Sequence, residues 1–197
     1  GCGSGLLALA CLALGAGRCL GVDLIPDALD AALANARANG FWQEANDVGS
    51  IAAGRRYSLH LPAEEVLDRD LDFYARCGDW RSESGACRGW RPLPETEVGT
   101  FDLVAANIVV GPLCLSASAV GRLLRPGGEV LLAGMRQGGQ TDQVKQAYGE
   151  AFELNFVESL DGWVLLRGTL LPKCVAPPKD AAKALDPADE AHSSGQE

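Results

Sequence analysis

No C-x-x-C pair occurs in this chain, although it carries seven cysteines, and no spacing of cysteine or histidine matches a metal site. The odd count and the scatter point to free thiols in a reducing compartment rather than a disulfide framework. Cys2, Cys11 and Cys19 read as small buried hydrophobes. Cys77 and Cys87 flank a polar loop and are placed to pair if oxidised. Basic residues are also short: 17 Lys and Arg against 26 Asp and Glu leave a formal net charge of −9. That balance argues against nucleic acid as a partner, because binding it needs a basic face. It is compatible with a basic protein substrate, although solubility alone also explains it. No apolar run is long enough to cross a bilayer and no secretory signal is visible, so no membrane partner is expected. The chain opens on Gly1 rather than Met, so targeting cannot be read from it.

The length of 197 residues suits one domain with a sizeable core. Residues 5–17 read as a buried helix that stops at a glycine pair, and 18–23 as a short strand ending in Asp23. A helix is predicted over 25–40, with Pro26 near its start and Gly40 past its end. RYSLHL (56–61) alternates like a strand. Residues 66–99 are polar and rich in Gly and Trp, and read as an insertion. Its Trp80 and Trp90 act either as a substrate platform or as aromatics tacking a long loop to the body. FDLVAANI (101–108) has the continuous apolar character of a strand buried on both faces. A helix over 112–124, a strand over 125–135, a helix over 140–152 and two strands joined at Asp161–Gly162 follow. Residues 172–197 read as a disordered tail. The alternation predicts an α/β domain over 1–171, doubly wound around a mostly parallel sheet, closed by a C-terminal antiparallel hairpin.

GCGSG (1–5) is a glycine-rich turn leading into a helix. A dinucleotide fingerprint needs a sixth-position glycine, and Leu6 stands there. In open α/β sheets such turns lie at the carboxyl ends of strands, where backbone meets the ligand. Alone, the turn is equally a tight turn without a ligand. Asp23 stands twenty residues on, where an acid can accept both hydroxyls of a ribose, or cap the helix at Pro26. Turn and acid together suit an adenosine-bearing ligand without a pyrophosphate, which S-adenosylmethionine fits best. Asn107, ending the FDLVAAN strand, offers a donor and an acceptor to the same crevice, or caps a turn. His60 reads as packed on its strand rather than as a general base.

GCGSGLLALACLALGAGRCLGVDLIPDALDAALANARANG, FDLVAANIVVGPL and LLRPGGEVLLAGM together resemble the ribosomal protein L11 methyltransferase (PrmA-like) family, class I enzymes that use S-adenosylmethionine. The resemblance covers everything except the insertion and the tail. It implies a Rossmann-like fold and transfer of methyl to a lysine or α-amino nitrogen of a protein. Gly1, Asp23 and Asn107 carry over as cofactor contacts, Gly3 and Gly5 follow from the turn, and Asn107 is the candidate to orient the amine. The family's second acid after the ribose acid is replaced by Ile25. The family's N-terminal recognition domain and the strand before GCGSG are absent, so this chain alone is expected to bind cofactor poorly. The resemblance implies a ribosomal-protein-L11-like or other lysine-bearing partner and a cytoplasmic or organellar (mitochondrial or chloroplast) location. Two alternatives stay open: a lysine methyltransferase of the electron-transfer flavoprotein β subunit type, or a non-catalytic truncated module.

Overall fold

The computed structural model describes residues 1–42, 49–52, 55–62 and 90–172. The Cys77–Cys87 pair, Trp80 and the tail from 173 onward lie outside them. The elements, in order, are α1 (Leu6–Ala13), β1 (Arg18–Val22), α2 (Pro26–Ala38), β2 (Gly49–Ala52) and β3 (Arg55–His60). A 3₁₀ turn (Glu95–Glu97) leads to β4 (Phe101–Asn107), α3 (Val110–Leu115), α4 (Ala117–Leu123), β5 (Leu124–Arg136), α5 (Gly139–Tyr148), β6 (Phe152–Leu160) and β7 (Trp163–Leu170).

Local chemistry explains the helix bounds. Pro26 occupies the first turn of α2, where its missing N–H is no loss. Both early helices end in a Schellman arrangement. Gly15 N and Ala16 N donate to Leu12 O and Cys11 O, and Gly40 N and Phe41 N donate to Arg37 O and Ala36 O. The α1 helix is not buried all round as its composition predicts. Leu9 and Leu12 are buried, but Leu6 and Leu14 are 70% and 89% exposed, because only one face of this short helix lies on the sheet.

The strands form a three-stranded sheet, β1-β3-β2, and a four-stranded sheet, β4-β5-β7-β6. Only β1/β3 and β4/β5 pair in parallel; β2/β3, β5/β7 and β6/β7 are antiparallel. The sheet is therefore mixed rather than mostly parallel. One reason is β2, a four-residue strand with too few side chains to show a period. The other is the predicted hairpin, which places β7 rather than β6 against β5. Asp161 and Gly162, at φ 50° and 78°, make the doubly left-handed turn that suits a two-residue hairpin.

The reading of β4 as buried on both faces is also corrected. It pairs with β5 alone among the described residues, and Asp102, Leu103 and Ala105 are exposed. An edge left open admits water to both faces. The outer edge of β1 is open in the same way. The two strands are tied at their starts by Arg18. Its guanidinium donates to Glu97 Oε2 (2.6 Å) and Thr100 Oγ1 (2.8 Å) and lies 4.4 Å from the centre of the Phe101 ring.

Two apolar clusters form the core. One packs α3, α4 and α5 on the four-stranded sheet through Leu113, Leu132, Met135, Val144, Tyr148 and Leu166. The other packs α1 and α2 on β3 through Leu12, Leu29, Ala32, Ala36, Tyr57 and Leu59. Trp90 joins the second cluster, and its Nε1 donates to Asp30 Oδ1 at 3.1 Å. Of the two readings of this tryptophan, the tacking one describes its place. Residues 90–93 return beside Leu61, whose N–H donates to Arg91 O while its carbonyl accepts from Leu93 N–H.

Among the described residues, two buried side-chain polar atoms lack hydrogen-bond partners, the Tyr57 hydroxyl and His60 Nδ1. A buried hydroxyl without a partner costs its full desolvation. Tyr57→Phe should therefore leave the fold as stable or raise its unfolding free energy by about 1 kcal/mol. Equilibrium denaturation checks this; a marked loss would show that the hydroxyl is satisfied. Burial holds the His60 imidazole below its ordinary pKa of 6.5. The unfolded chain then binds more protons in the window below that value, so stability falls as pH drops into it. Denaturation midpoints should decrease from neutral pH to about pH 5.5, and His60→Gln should flatten that decrease.

Candidate active site

The glycine turn lies along the end of β1. Gly1 N and Cys2 N both donate to Val22 O, at 2.9 and 2.8 Å. The next residue, Asp23, organises the turn. Its Oδ2 accepts from Gly3 N–H at 2.8 Å, and its Oδ1 accepts from Ile25 N–H at 3.0 Å. The side chain thus serves the helix entry that its position suggested and the turn twenty residues away. Asp23 is 7% exposed, and each carboxylate oxygen retains a lone pair beyond the bond it makes.

Gly5 caps α1 at φ 78°, a conformation that strains any residue with a Cβ. A Cβ there would also stand 2.9 Å from the Tyr57 hydroxyl and 3.1 Å from Ala32 Cβ. The turn is therefore pressed onto β3 and α2. Asn35 of α2 adds a further tie, its Nδ2 donating to Ser4 O at 2.9 Å. Asn35 has no marker in the sequence beyond its place on the helix, and sequence reasoning missed it.

Asn107 ends β4 on the neighbouring strand and is exposed. The residue after it links the two halves of the site. A Cβ on Gly1 would collide with Ile108 Cγ2, and one on Gly134 of β5 would collide with the Ile108 carbonyl. Gly134 sits at φ 90°, so both the contact and the conformation require glycine.

Beyond Asn107 lies a cleft of about 660 Å³, walled by Val109, Glu158, Leu160 and Trp163 among others. Its far wall comes from the hairpin. The Arg136 guanidinium lies 4.4 Å from the Trp163 ring centre and donates to Asp161 O at 2.8 Å. Gly1, Gly3, Gly5 and Asp23 do not line this cleft. The site thus has two compartments, a turn with a carboxylate at the end of β1 and a trough at the ends of β4 and β5. Asn107 stands at their junction. Glu158, Leu160 and Trp163 were missed in the sequence, which showed a hairpin but not what its side chains face. His60 does not line the cleft; its carbonyl accepts from Asp23 N–H at 3.2 Å.

Among the described residues, no group of three or more His, Cys, Asp or Glu could hold a metal ion, and no helix is long and apolar enough to cross a membrane.

The family model for ribosomal protein L11 methyltransferase (PrmA) matches residues 1–68 and 90–170. The ribosomal protein L11 methyltransferases of Azotobacter vinelandii and Nitrosomonas europaea are 35% and 34% identical over 168 residues, which is 85% of this chain and 43% of each relative. The chain therefore spans less than half the length of these curated relatives. Among solved structures, a ribosomal protein L11 methylase from Lactobacillus delbrueckii subsp. bulgaricus superimposes with a TM-score of 0.57 at 24% identity, over 86% of this chain and 67% of that one. A putative rRNA-methylase from Clostridium thermocellum gives 0.52 at 13% identity, over 87% and 83%. Identities this low bear on the fold alone. By sequence, and on the matched residues, this chain belongs to the ribosomal protein L11 methyltransferase family.

Proposed function

We propose that this chain is the catalytic module of an S-adenosylmethionine-dependent protein N-methyltransferase. The observation that carries the reading is the joining of two compartments at Ile108, one holding a carboxylate-braced glycine turn and the other opening beside Asn107. The residues present fit the cofactor. Open space where a Cβ would stand at Gly3 lets backbone approach it, and the free lone pairs of Asp23 suit a ribose diol; the Cβ position of Gly5 faces Tyr57 and Ala32, so that expected cofactor contact serves the packing of the turn instead. S-adenosylmethionine held there would supply an electrophilic methyl carbon, to which an uncharged amine bonds in line as the neutral thioether leaves.

The protein's part is positioning. Asp23 and the turn fix one reactant at the end of β1. The Asn107 side-chain carbonyl can accept a hydrogen bond from the amine, aiming its lone pair at the methyl group. The proton that leaves the amine passes to solvent through the open cleft. Ribosomal protein L11, named for the relatives, is the first acceptor to assay.

The open edges of β1 and β4 support a finer reading of the fold. Both strands run toward the site, and Arg18 at one end and Gly1 at the other hold them beside each other. We infer that one further parallel strand completes the sheet between them and runs into Gly1.

Asn107→Ala should cut methyl transfer on the order of 100-fold or more while the fold persists. Full activity in that variant would remove Asn107 from the reaction. Asp23→Ala should weaken cofactor binding roughly tenfold to a hundredfold, measured by calorimetry. No binding by a form extended by a strand before Gly1 would leave only the non-catalytic reading. A form extended by a strand before Gly1 should bind the cofactor more tightly than residues 1–197. Equal affinities would dispose of the completing strand.

A further inference from the structure

The cleft beside Asn107 has an uneven chemistry. Its lining is mostly apolar, with Val109, Leu160 and Trp163 as its large members, all partly open to water. Asn107 is its amide, and among the described residues Glu158 is the one of its lining that carries a charge. A cation held against that wall, Arg136, is committed elsewhere. The Arg136 guanidinium lies against the Trp163 ring and the Asp161 carbonyl, and Arg136 does not line the cleft. Glu158 stands on β6 opposite Leu165, just past the register shift that follows Phe156. That shift alters which side chains the strand presents to the trough.

A trough of apolar walls with a carboxylate on one side matches one kind of side chain: a long aliphatic stem ending in a positive charge. The stem gains from leaving water and the charge gains from the carboxylate. A backbone α-amino group has the charge without the stem.

We propose that Glu158 is the specificity-determining residue of this cleft, selecting a lysine-type side chain of a polypeptide over an uncharged side chain of the same length. The inference rests on the methyl-transfer reading for the use of the cleft, but its test does not.

The test is binding of labelled, N-acetylated peptides that differ at one central residue, lysine or norleucine, to the protein carrying this chain. The lysine peptide should bind roughly threefold to fivefold more tightly, the size expected of an ion pair open to solvent. The preference should shrink as ionic strength rises. Glu158→Gln should bring the two affinities together, and Glu158→Lys should favour norleucine. Glu153→Gln, an exposed acid at the start of the same strand, should leave the lysine preference in place, which separates Glu158 from the general negative charge of the protein. The proposal is overturned if the native protein does not distinguish the peptides, or if Glu158→Gln keeps the full preference. Calorimetry with S-adenosylmethionine on the same samples reports on the methyl-transfer reading separately. A protein that binds cofactor and ignores the lysine would sink only the role of Glu158.

Discussion

The Asp23 carboxylate is the constraint on which the rest of the site depends. It is nearly buried, and its two oxygens accept N–H groups from segments on either side of β1, Gly3 before it and Ile25 after it. Hydrogen bonds to a charged acceptor are roughly twice as strong as neutral ones. The glycine turn, being mostly glycine, has a large backbone entropy to lose on ordering. A charged clamp at the centre of the turn offsets that loss. The same clamp sets the start of α2, so the helix and the turn cannot shift independently. A carboxylate left in the interior must be satisfied, and here two backbone donors do so while its remaining lone pairs stay available to a ligand.

The two half-sheets pose a different problem. Parallel strands are normally covered on both faces and flanked on both edges. Here β1 and β4 each lack a neighbour on one edge among the described residues, and Leu103 is 39% exposed in consequence. What keeps them together is a set of contacts at the strand ends. Arg18 forks between Glu97 and Thr100 and stacks on Phe101 at the start of β4, and Ile108 meets the glycine turn at its end. Such contacts fix the ends of the strands and leave the middle to whatever fills it. The separation of the two apolar clusters has the same origin, since no strand between β1 and β4 among the described residues carries side chains from one to the other.

Much of this was legible in the sequence, and the failures have physical causes. Both Schellman stops, at Gly15 and Gly40, and the hairpin turn at Asp161–Gly162 followed from residues whose backbone preferences are local. Spacing brought Asp23 to the turn as a ligand contact or a helix cap, but not as the acceptor of the turn's own Gly3 N–H. The burial of β4 did not follow. FDLVAAN has the composition of a central strand, and composition reports what a strand is suited to rather than what lies beside it. β2 was missed because four residues carry no period. Asn35, Glu158 and Trp163 were missed because they meet the site only through tertiary contacts. In Trp163 the pairing with Arg136 spans the hairpin, a distance at which a local pattern carries no signal.

The two compartments are held by different kinds of force, and this bears on what each can do. The end of β1 is fixed by backbone hydrogen bonds, a buried carboxylate and glycines that would admit no Cβ. Its geometry leaves little to vary, as suits a ligand that is the same in every turnover. The trough beside Asn107 is walled by side chains on a hairpin and on the short helix after β4, and Val109, Leu160 and Trp163 remain 68%, 70% and 49% exposed. Replacing an exposed wall residue costs the fold little. An acceptor preference can therefore change at Glu158 or Leu160 without disturbing the clamp at Asp23. Asn107 belongs to both halves, because it ends a strand whose next residue touches the turn and whose side chain faces the trough. A substitution there cannot be absorbed by either compartment alone. That is the physical reason behind proposing Asn107 as the reacting centre and the hairpin as the seat of acceptor choice.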